Sequence, residues 1–171
     1  PRVVVEAARK VGAISVCDNT FLTPYLLRPL ELGIDLVMHS GTKYLGGHGD
    51  IIAGVVAGSH ALMKSIRTVA LKHIGSPIGP QEAYLLQRGV KTLPLRMDAH
   101  LHNAQKVAEF LAAHPAVKKV IYPGLANFPG RDALGAFASG FGGMVRQNLG
   151  LDRGSEVLRS HIGGGHGQIA R

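Results

Sequence analysis

Residues 13–38, AISVCDNTFLTPYLLRPLELGIDLVM, form the segment that predicts the fold. Its two ends, residues 13–17 and 34–38, are short, mostly apolar runs of the kind buried in a parallel sheet. Between them, residues 24–33 indicate a loop followed by a short helix that Gly33 closes. The order of strand, helix and strand favours an α/β fold with a mostly parallel sheet.

The segments flanking this unit predict further helices and one more strand before the chain's midpoint. Residues 2–11 indicate a helix, because the apolar residues Val4, Ala7 and Ala8 share one face. After the second strand come a glycine-rich irregular stretch at residues 40–50, a β-like run at 51–56 and a helix at about 59–71. Ligands of open α/β sheets bind outside the carboxyl ends of strands, so the glycine-rich stretch is where chemistry is expected.

The second half of the chain predicts two helices and a strand. One helix begins after Gly79 with Pro80 in its first turn, and a longer one covers about residues 93–114. The long helix has one apolar face, which is predicted to be core: Leu93, Met97, Leu101, Ala104, Ala108 and Leu111. A strand is expected at residues 117–122, and no further strand or helix is predicted after Met144.

Composition restricts the class of protein. The chain has 171 residues, 46% of them hydrophobic, which is enough for an ordinary globular core. Its net charge of +8 raises nucleic acid as a partner, but the basic residues form no arm or stripe, and five Phe, four Tyr and no Trp offer few stacking surfaces. We therefore expect no nucleic acid partner.

Membrane, disulfide and metal functions are also not expected. No apolar run reaches the roughly 18 residues of a membrane helix, and the first residues lack the pattern of a secretory signal, so we expect a cytoplasmic setting. The single cysteine, Cys17, ends an apolar run and is interpreted as a core residue. No metal site is predicted, because His100 and His102 would splay apart on a helix and His48 with Asp50 lacks a third ligand.

Lys43 is the main candidate for chemistry, within Ser40-Gly41-Thr42-Lys43-Tyr44. A primary amine at a strand end can form a Schiff base, and hydroxyls in a glycine-rich backbone can bind a phosphate. The pattern suits an aldehyde cofactor with a phosphate arm, although a solvated lysine in a turn is the alternative. A Walker loop is excluded by residue order, since Thr42 precedes Lys43 and the glycines follow it.

Asp18 is the second candidate and follows the first predicted strand directly. A carboxylate at this edge can pair with the protonated ring nitrogen of pyridoxal phosphate and keep the ring electron-withdrawing. A turn-capping role before Asn19 and Thr20 is the alternative.

Several separated segments resemble the Cys/Met-metabolism, or trans-sulfuration, family of pyridoxal-phosphate enzymes, in the family's order. The similarity covers roughly residues 1–145 and is carried by these segments: 17–21, 28–33, 39–50, 79–80, 88–93, 95–97, 122–125 and 139–144. Parts of the family pattern before residue 1 and after residue 145 are not matched. The chain therefore resembles a fragment of such an enzyme.

The resemblance implies a fold-type I enzyme whose parent is a homotetramer built from dimers. Residues 1–91 would be part of the large cofactor-binding domain, and residues 92–171 the linking helix and an incomplete small domain. Lys43 would form the Schiff base and later move protons at the substrate carbons, while Asp18 would hold the pyridine nitrogen. Ser40 and Thr42 would bind the phosphate, with a further cofactor contact implied for Thr20.

The implied reaction is elimination at a carbon–sulfur bond. γ-Elimination from methionine, cystathionine or homocysteine is the first hypothesis. Cystathionine γ-synthase or O-acylhomoserine sulfhydrylase chemistry, which replaces the γ-substituent, stays open, as does a non-catalytic truncated module. Nothing after Met144 presents the family's arginine for the substrate carboxylate, so the 171 residues alone are expected to be inactive.

Overall fold

The computed structural model describes residues 2–75 and 77–149 of the chain. Its helices are α1 (Arg2–Lys10), α2 (Thr23–Leu26), α3 (His60–Ile66), α4 (Pro80–Val90), α5 (Leu93–Ala113) and α6 (Arg131–Gly135). Its strands are β1 (Val16–Asp18), β2 (Leu36–Ser40), β3 (Gly54–Gly58), β4 (Val117–Ile121) and β5 (Arg146–Leu149). A 3₁₀ turn covers Pro29–Leu32, and π-helical segments cover Gly41–Leu45 and Arg67–Ile74.

The first sheet has the strand order β1-β2-β3. β1 and β2 are parallel, with Asp18 opposite Met38, as the strand, helix, strand pattern predicts. β3 is antiparallel to β2, which differs from the expectation of a mostly parallel sheet. The connection between the two strands explains this difference. A parallel pair needs a crossover connection, usually a helix that packs on the sheet, whereas the chain returns from β2 to β3 through a loop and one π-helical turn.

β1 and β2 both begin later than the apolar runs predict. Ser15 and Asp35 bind each other just before the strands, with the Ser15 N–H and hydroxyl 2.8 and 2.6 Å from Asp35 Oδ2. The Asp35 N–H donates in return to the Ser15 hydroxyl at 3.0 Å. This exchange lies at the amino-terminal side of the parallel pair, whose ladder then runs from Val16 and Leu36 to Asp18 and Met38.

A small cluster of side chains covers one face of this sheet. Val5 of α1 packs on Ile34 and Val37, with Cys17 partly buried against them. Burial and the neighbouring Asp18 carboxylate raise the pKa of the Cys17 thiol. This environment supports the interpretation of Cys17 as a core residue, because a raised pKa lowers the thiolate fraction.

The long helix α5 confirms the predicted core face. Leu93 and Met97 pack with Leu26 and Leu45, and Ala104 and Ala108 pack with Tyr122. Leu111 is also buried, and Leu101 is partly buried against the first group. The helix ends at Ala113 because the next residue precedes Pro115 and is extended, as residues before proline prefer.

Three other elements differ from the sequence expectations. The helix predicted within residues 24–33 is two short pieces, α2 and the 3₁₀ turn, separated where Pro29 prevents continuation; Gly33 ends the second in the left-handed region, at φ 90°. The helix after Ser59 changes to π-helical geometry and extends to Ile74. The sequence predicts no strand after Met144, but the structure has one there, β5, which pairs antiparallel with β4.

The missed strand β5 is polar, reading Arg146-Gln147-Asn148-Leu149, so it carries little intrinsic β signal. Its backbone pairing with β4 supplies what the side chains lack. Among the described residues, no helix has both the length and the apolar character needed to cross a bilayer.

Candidate functional site

The parallel pairing of β1 and β2 brings their carboxyl ends to one edge of the sheet. Asp18 is the last residue of β1 and Ser40 the last of β2. Just beyond this edge, the Ser40 N–H donates to the Thr20 hydroxyl oxygen at 2.8 Å. Three of the five predicted site residues are therefore adjacent.

The Asp18 carboxylate is exposed at this edge and held in its ionised form. Its Oδ1 accepts a hydrogen bond from the Thr20 N–H at 3.0 Å. The Thr20 hydroxyl and the Thr20 N–H lower the pKa of the Asp18 carboxyl most; burial opposes them, and the His39 ring adds a further lowering that is smaller than the effect of burial. The bond to the Thr20 N–H is also a turn cap, so the capping alternative considered from the sequence applies alongside the predicted role.

Lys43 lies in the π-helical turn Gly41–Leu45 that follows β2, which is called the Lys43 turn below. Its φ and ψ of −89° and −122° lie outside the helical region, so the turn kinks at the lysine itself. Its side chain is exposed, and within residues 2–75 and 77–149 it forms no ion pair. The Lys43 carbonyl accepts the Gly47 N–H at 2.8 Å, which closes the turn behind it.

The hydroxyls of Ser40 and Thr42 have different environments. The Thr42 hydroxyl oxygen accepts the Ala53 N–H at 3.1 Å, while its own proton has only the Ala53 carbonyl at 3.5 Å. The half-buried Ser40 hydroxyl has no hydrogen-bond partner in the part of the chain that the structure describes. Both groups can therefore donate a hydrogen bond to an anion.

Gly41 brings the backbone of this turn against the start of β3. A Cβ at Gly41 would lie 2.9 Å from the Ala53 Cβ, closer than such atoms approach. The Gly41 N–H donates to the Ala53 carbonyl at 2.7 Å, and the Thr42 N–H approaches the same oxygen at 3.3 Å. The glycine that the sequence placed between Ser40 and Thr42 is thus required for close packing.

The structure joins the predicted residues to different degrees. Hydrogen bonds link Asp18, Thr20 and Ser40 directly, and Thr42 and Lys43 follow in the next turn. In the described residues, no hydrogen bond connects the Lys43 amine with the other four. Their grouping around one ligand remains a prediction.

Sequence reasoning missed the role of Arg96, which appeared only as part of a motif. The Arg96 guanidinium donates to the carbonyls of Tyr44 at 2.7 Å and Gly89 at 2.8 Å. Its Nε donates to the Thr92 hydroxyl at 3.0 Å. Glycines at 46, 47 and 89 were the available signal, since such residues permit backbones to approach closely.

Comparisons with known proteins identify the family of this chain. The family model described as Cys/Met metabolism PLP-dependent enzyme matches residues 2–161, past the point where the recognised motifs end. The L-methionine gamma-lyase of Pseudomonas putida is 57% identical over 147 residues, and the cystathionine beta-lyase of Lactococcus lactis subsp. cremoris is 50% identical over 142 residues. These matches cover 85% and 83% of this chain, which spans 37% of the length of each of these curated relatives.

A solved structure shows the same fold. The cystathionine gamma synthase of Xanthomonas oryzae pv. oryzae superposes with a TM-score of 0.88 at 39% identity, covering 99% of this chain and 44% of that one. The fold and site therefore define a fold-type I, pyridoxal-phosphate-dependent class of protein. The chain belongs to the Cys/Met metabolism PLP-dependent enzyme family, which includes carbon–sulfur lyases.

The residues at the sheet edge fit that cofactor. Pyridoxal phosphate needs a carboxylate for its ring nitrogen, donors for its phosphate and an amine for its aldehyde. Asp18 is ionised and accessible, Ser40 and Thr42 have hydroxyl protons to donate, and the Lys43 amine is exposed.

Thr20→Val is expected to raise the pKa of the Asp18 carboxyl toward its ordinary value, because the hydroxyl is the largest cause of the lowering. A carboxyl with a lowered folded-state pKa stabilises the protein above its unfolded pKa, and this stability is lost as the pH falls through the folded pKa. The variant should therefore lose less stability on acidification. Carboxyl NMR titration of Asp18 measures the effect. Thr20→Ser, which keeps the hydroxyl, is the control, and equal titration curves for Thr20→Val and Thr20→Ser would contradict the assignment.

Proposed function

We propose that this chain is the cofactor-binding part of a pyridoxal-phosphate enzyme that cleaves a carbon–sulfur bond by γ-elimination. The substrate class is a sulfur amino acid: methionine, cystathionine or homocysteine. The observation that carries the proposal is an exposed Lys43 in a kinked turn next to the sheet edge that holds Asp18 and Ser40. The 57% identity to a methionine gamma-lyase supports γ-elimination as the first choice.

Each site residue then has a definite task. The bound cofactor supplies an electron-withdrawing ring that stabilises negative charge at the substrate Cα. Lys43 would hold the cofactor through its aldehyde carbon, and the Lys43 amine would remove the proton from the substrate Cα. The ionised Asp18 carboxylate would accept a hydrogen bond from the protonated pyridine nitrogen. Thr20 orients Asp18 through its N–H, and Ser40 and Thr42 donate hydrogen bonds to the phosphate.

Two other reactions remain candidates because relatives carry them. The cystathionine gamma synthase with 39% identity favours γ-replacement, and the related O-acylhomoserine sulfhydrylase reaction belongs to the same class. The beta-lyase with 50% identity favours elimination at Cβ. None of the site residues separates these reactions, since all of the reactions begin with proton removal at Cα.

Products formed by the full-length protein containing this chain distinguish the candidates. From cystathionine, γ-elimination yields cysteine, ammonia and 2-oxobutanoate, whereas β-elimination yields homocysteine, ammonia and pyruvate. A cystathionine γ-synthase instead forms a thioether from an activated homoserine and cysteine, and an O-acylhomoserine sulfhydrylase forms homocysteine from the activated homoserine and sulfide. Release of 2-oxobutanoate from methionine or cystathionine supports the proposal. Formation of a γ-replacement product alone, or of pyruvate alone, would overturn it, and no product at all would favour a non-catalytic module.

The 171-residue chain alone is expected to release no detectable ammonia or 2-oxo acid from these substrates. The Arg96 guanidinium lies beside the Lys43 turn, but it already donates to two backbone carbonyls. It is therefore not free to bind a substrate carboxylate. A coupled ammonia assay, with the full-length protein as the positive control, measures this. Turnover by the short chain would show that its residues suffice for substrate binding.

The remaining structural expectations stay predictions. They are the division into a large-domain part at residues 1–91 and a small-domain part at 92–171, a homotetrameric parent and a cytoplasmic setting. Residues 150–171 lie outside the described part of the chain, so the second of these regions is described only to residue 149.

A further inference from the structure

Arg96 connects three parts of the structure at one point. Its guanidinium donates to the Tyr44 carbonyl in the Lys43 turn and to the Gly89 carbonyl near the end of α4. Its Nε donates to the hydroxyl of Thr92, the residue that precedes α5. The Thr92 hydroxyl in turn donates to the Gly89 carbonyl at 3.1 Å. One side chain on α5 therefore ties the turn that carries Lys43 to α4.

The backbones at this point are packed closely, and glycines make the approach possible. Gly89 is buried, and a Cβ there would overlap the carbonyl oxygen of Gly46 and lie 2.8 Å from that of Leu45. Gly47 has a positive φ of 78°, and a Cβ there would overlap the Arg96 guanidinium. Gly47 thus leaves open the space that the guanidinium occupies, and Gly89 allows α4 to approach the backbone of Leu45 and Gly46.

The Lys43 turn needs such external support. The turn is short and kinked at Lys43, and its closing hydrogen bonds run from the Gly46 N–H to the Gly41 carbonyl at 2.9 Å and from the Gly47 N–H to the Lys43 carbonyl at 2.8 Å. The Tyr44 carbonyl, on the residue after Lys43, accepts from Arg96. A planar guanidinium presents its donors in a fixed fork, so it sets the orientation of the carbonyls it binds.

We propose that Arg96, with Thr92, is a positioning residue for Lys43, because its guanidinium fixes the backbone turn from which the reactive amine projects. The proposal rests on the proposed function, since it assigns Lys43 the task of holding the cofactor. Arg96 itself touches neither cofactor nor substrate in this scheme. Its effect is to keep one conformation of the turn populated, which raises the apparent affinity for any ligand that needs that conformation.

Reductive trapping measures this effect in the whole chain. The protein is incubated with increasing pyridoxal phosphate and reduced with borohydride, and the fraction of modified Lys43 is determined by peptide mass spectrometry. Arg96→Met is expected to raise the pyridoxal phosphate concentration for half-labelling about tenfold, equivalent to about 1.4 kcal/mol. The matched control is Arg88→Met on exposed α4 surface, which should label like the unmodified chain.

A second pair of variants tests the same contact with a smaller change. Thr92→Val keeps the side-chain shape and removes the hydroxyl that joins Arg96 to Gly89, so half-labelling should shift by about threefold. Thr92→Ser keeps the hydroxyl and should label like the unmodified chain. This pair decides the question if Arg96→Met does not fold.

Hydrogen exchange separates positioning from general loss of stability. In Arg96→Met, the amides of Gly46 and Gly47 should exchange faster, while the amides of the β2–β3 pair keep their protection. Uniformly faster exchange would indicate a merely structural role and would overturn the proposal.

The outcomes distinguish the two levels of inference. If the unmodified chain is not labelled at Lys43 above its other lysines, the proposed function fails. If it is labelled, but Arg96→Met labels like Arg88→Met, the positioning role of Arg96 fails and the proposed function stands. Where Arg96→Met does not fold, equal labelling of Thr92→Val and Thr92→Ser has the same consequence.

Discussion

Replacing Lys43 with alanine is expected to abolish the covalent capture of pyridoxal phosphate by this chain. Capture requires a primary amine in a position where the ring and phosphate are also held, and Lys43 is the exposed amine in the turn next to Asp18 and Ser40. The unmodified chain should develop a visible absorbance band with the cofactor, and borohydride should fix the cofactor to the Lys43 peptide. In Lys43→Ala, labelling should fall to the level of lysines outside the site.

Two controls make this result specific. Lys91→Ala removes an exposed lysine just after α4 and should leave the band unchanged. Lys43→Arg keeps the positive charge without a reactive amine and should lose the band as completely as Lys43→Ala. A band that persists in Lys43→Ala would assign capture to another amine and would remove the basis of the proposed function.

The position of the candidate site was predictable from general rules of α/β structure. Two short apolar runs joined by a helical segment indicate neighbouring parallel strands, and parallel strands place their carboxyl ends at one edge. Asp18 and Ser40 follow from this argument alone, and the pairing of Asp18 with Met38 bears it out. The core face of α5 was predictable for a similar reason, because its 3.6-residue periodicity survives over 21 residues.

The features that were not predictable depend on partners distant in sequence. β5 is polar and is a strand only because β4 offers it a backbone ladder. The direction of β3 depends on how the Gly41–Ala53 contact turns the chain, and the sequence shows only that glycines are present. From the sequence alone, Arg96 is expected to be an exposed helical arginine. Its partners, the carbonyls of Gly89 in α4 and Tyr44 in the Lys43 turn, are 7 and 52 residues away along the chain.

Met97→Ala is expected to destabilise the chain by about 2–5 kcal/mol, the cost of truncating a buried methionine and leaving a cavity. Met97 is fully buried, at 0% exposure, and packs with Leu26, Leu45 and Leu93. Urea unfolding followed by circular dichroism measures the loss. Val107→Ala on the same helix is the control, because Val107 is 48% exposed and such a substitution should change stability by no more than about 0.5 kcal/mol.

Met97→Ala should also weaken cofactor capture, which links the core to the site. Leu45 belongs both to the Met97 cluster and to the Lys43 turn, so a cavity beneath it lets the turn move. Met97→Leu conserves most of the volume and should cost less than about 1.5 kcal/mol, with capture largely retained. The two ways of loosening the turn then have different signatures: Met97→Ala lowers stability and capture together, whereas Arg96→Met lowers capture with protection of the β2–β3 pair intact. Equal unfolding midpoints for Met97→Ala and Val107→Ala would contradict the expected loss of stability, and unchanged capture by Met97→Ala would show that this cluster does not support the turn.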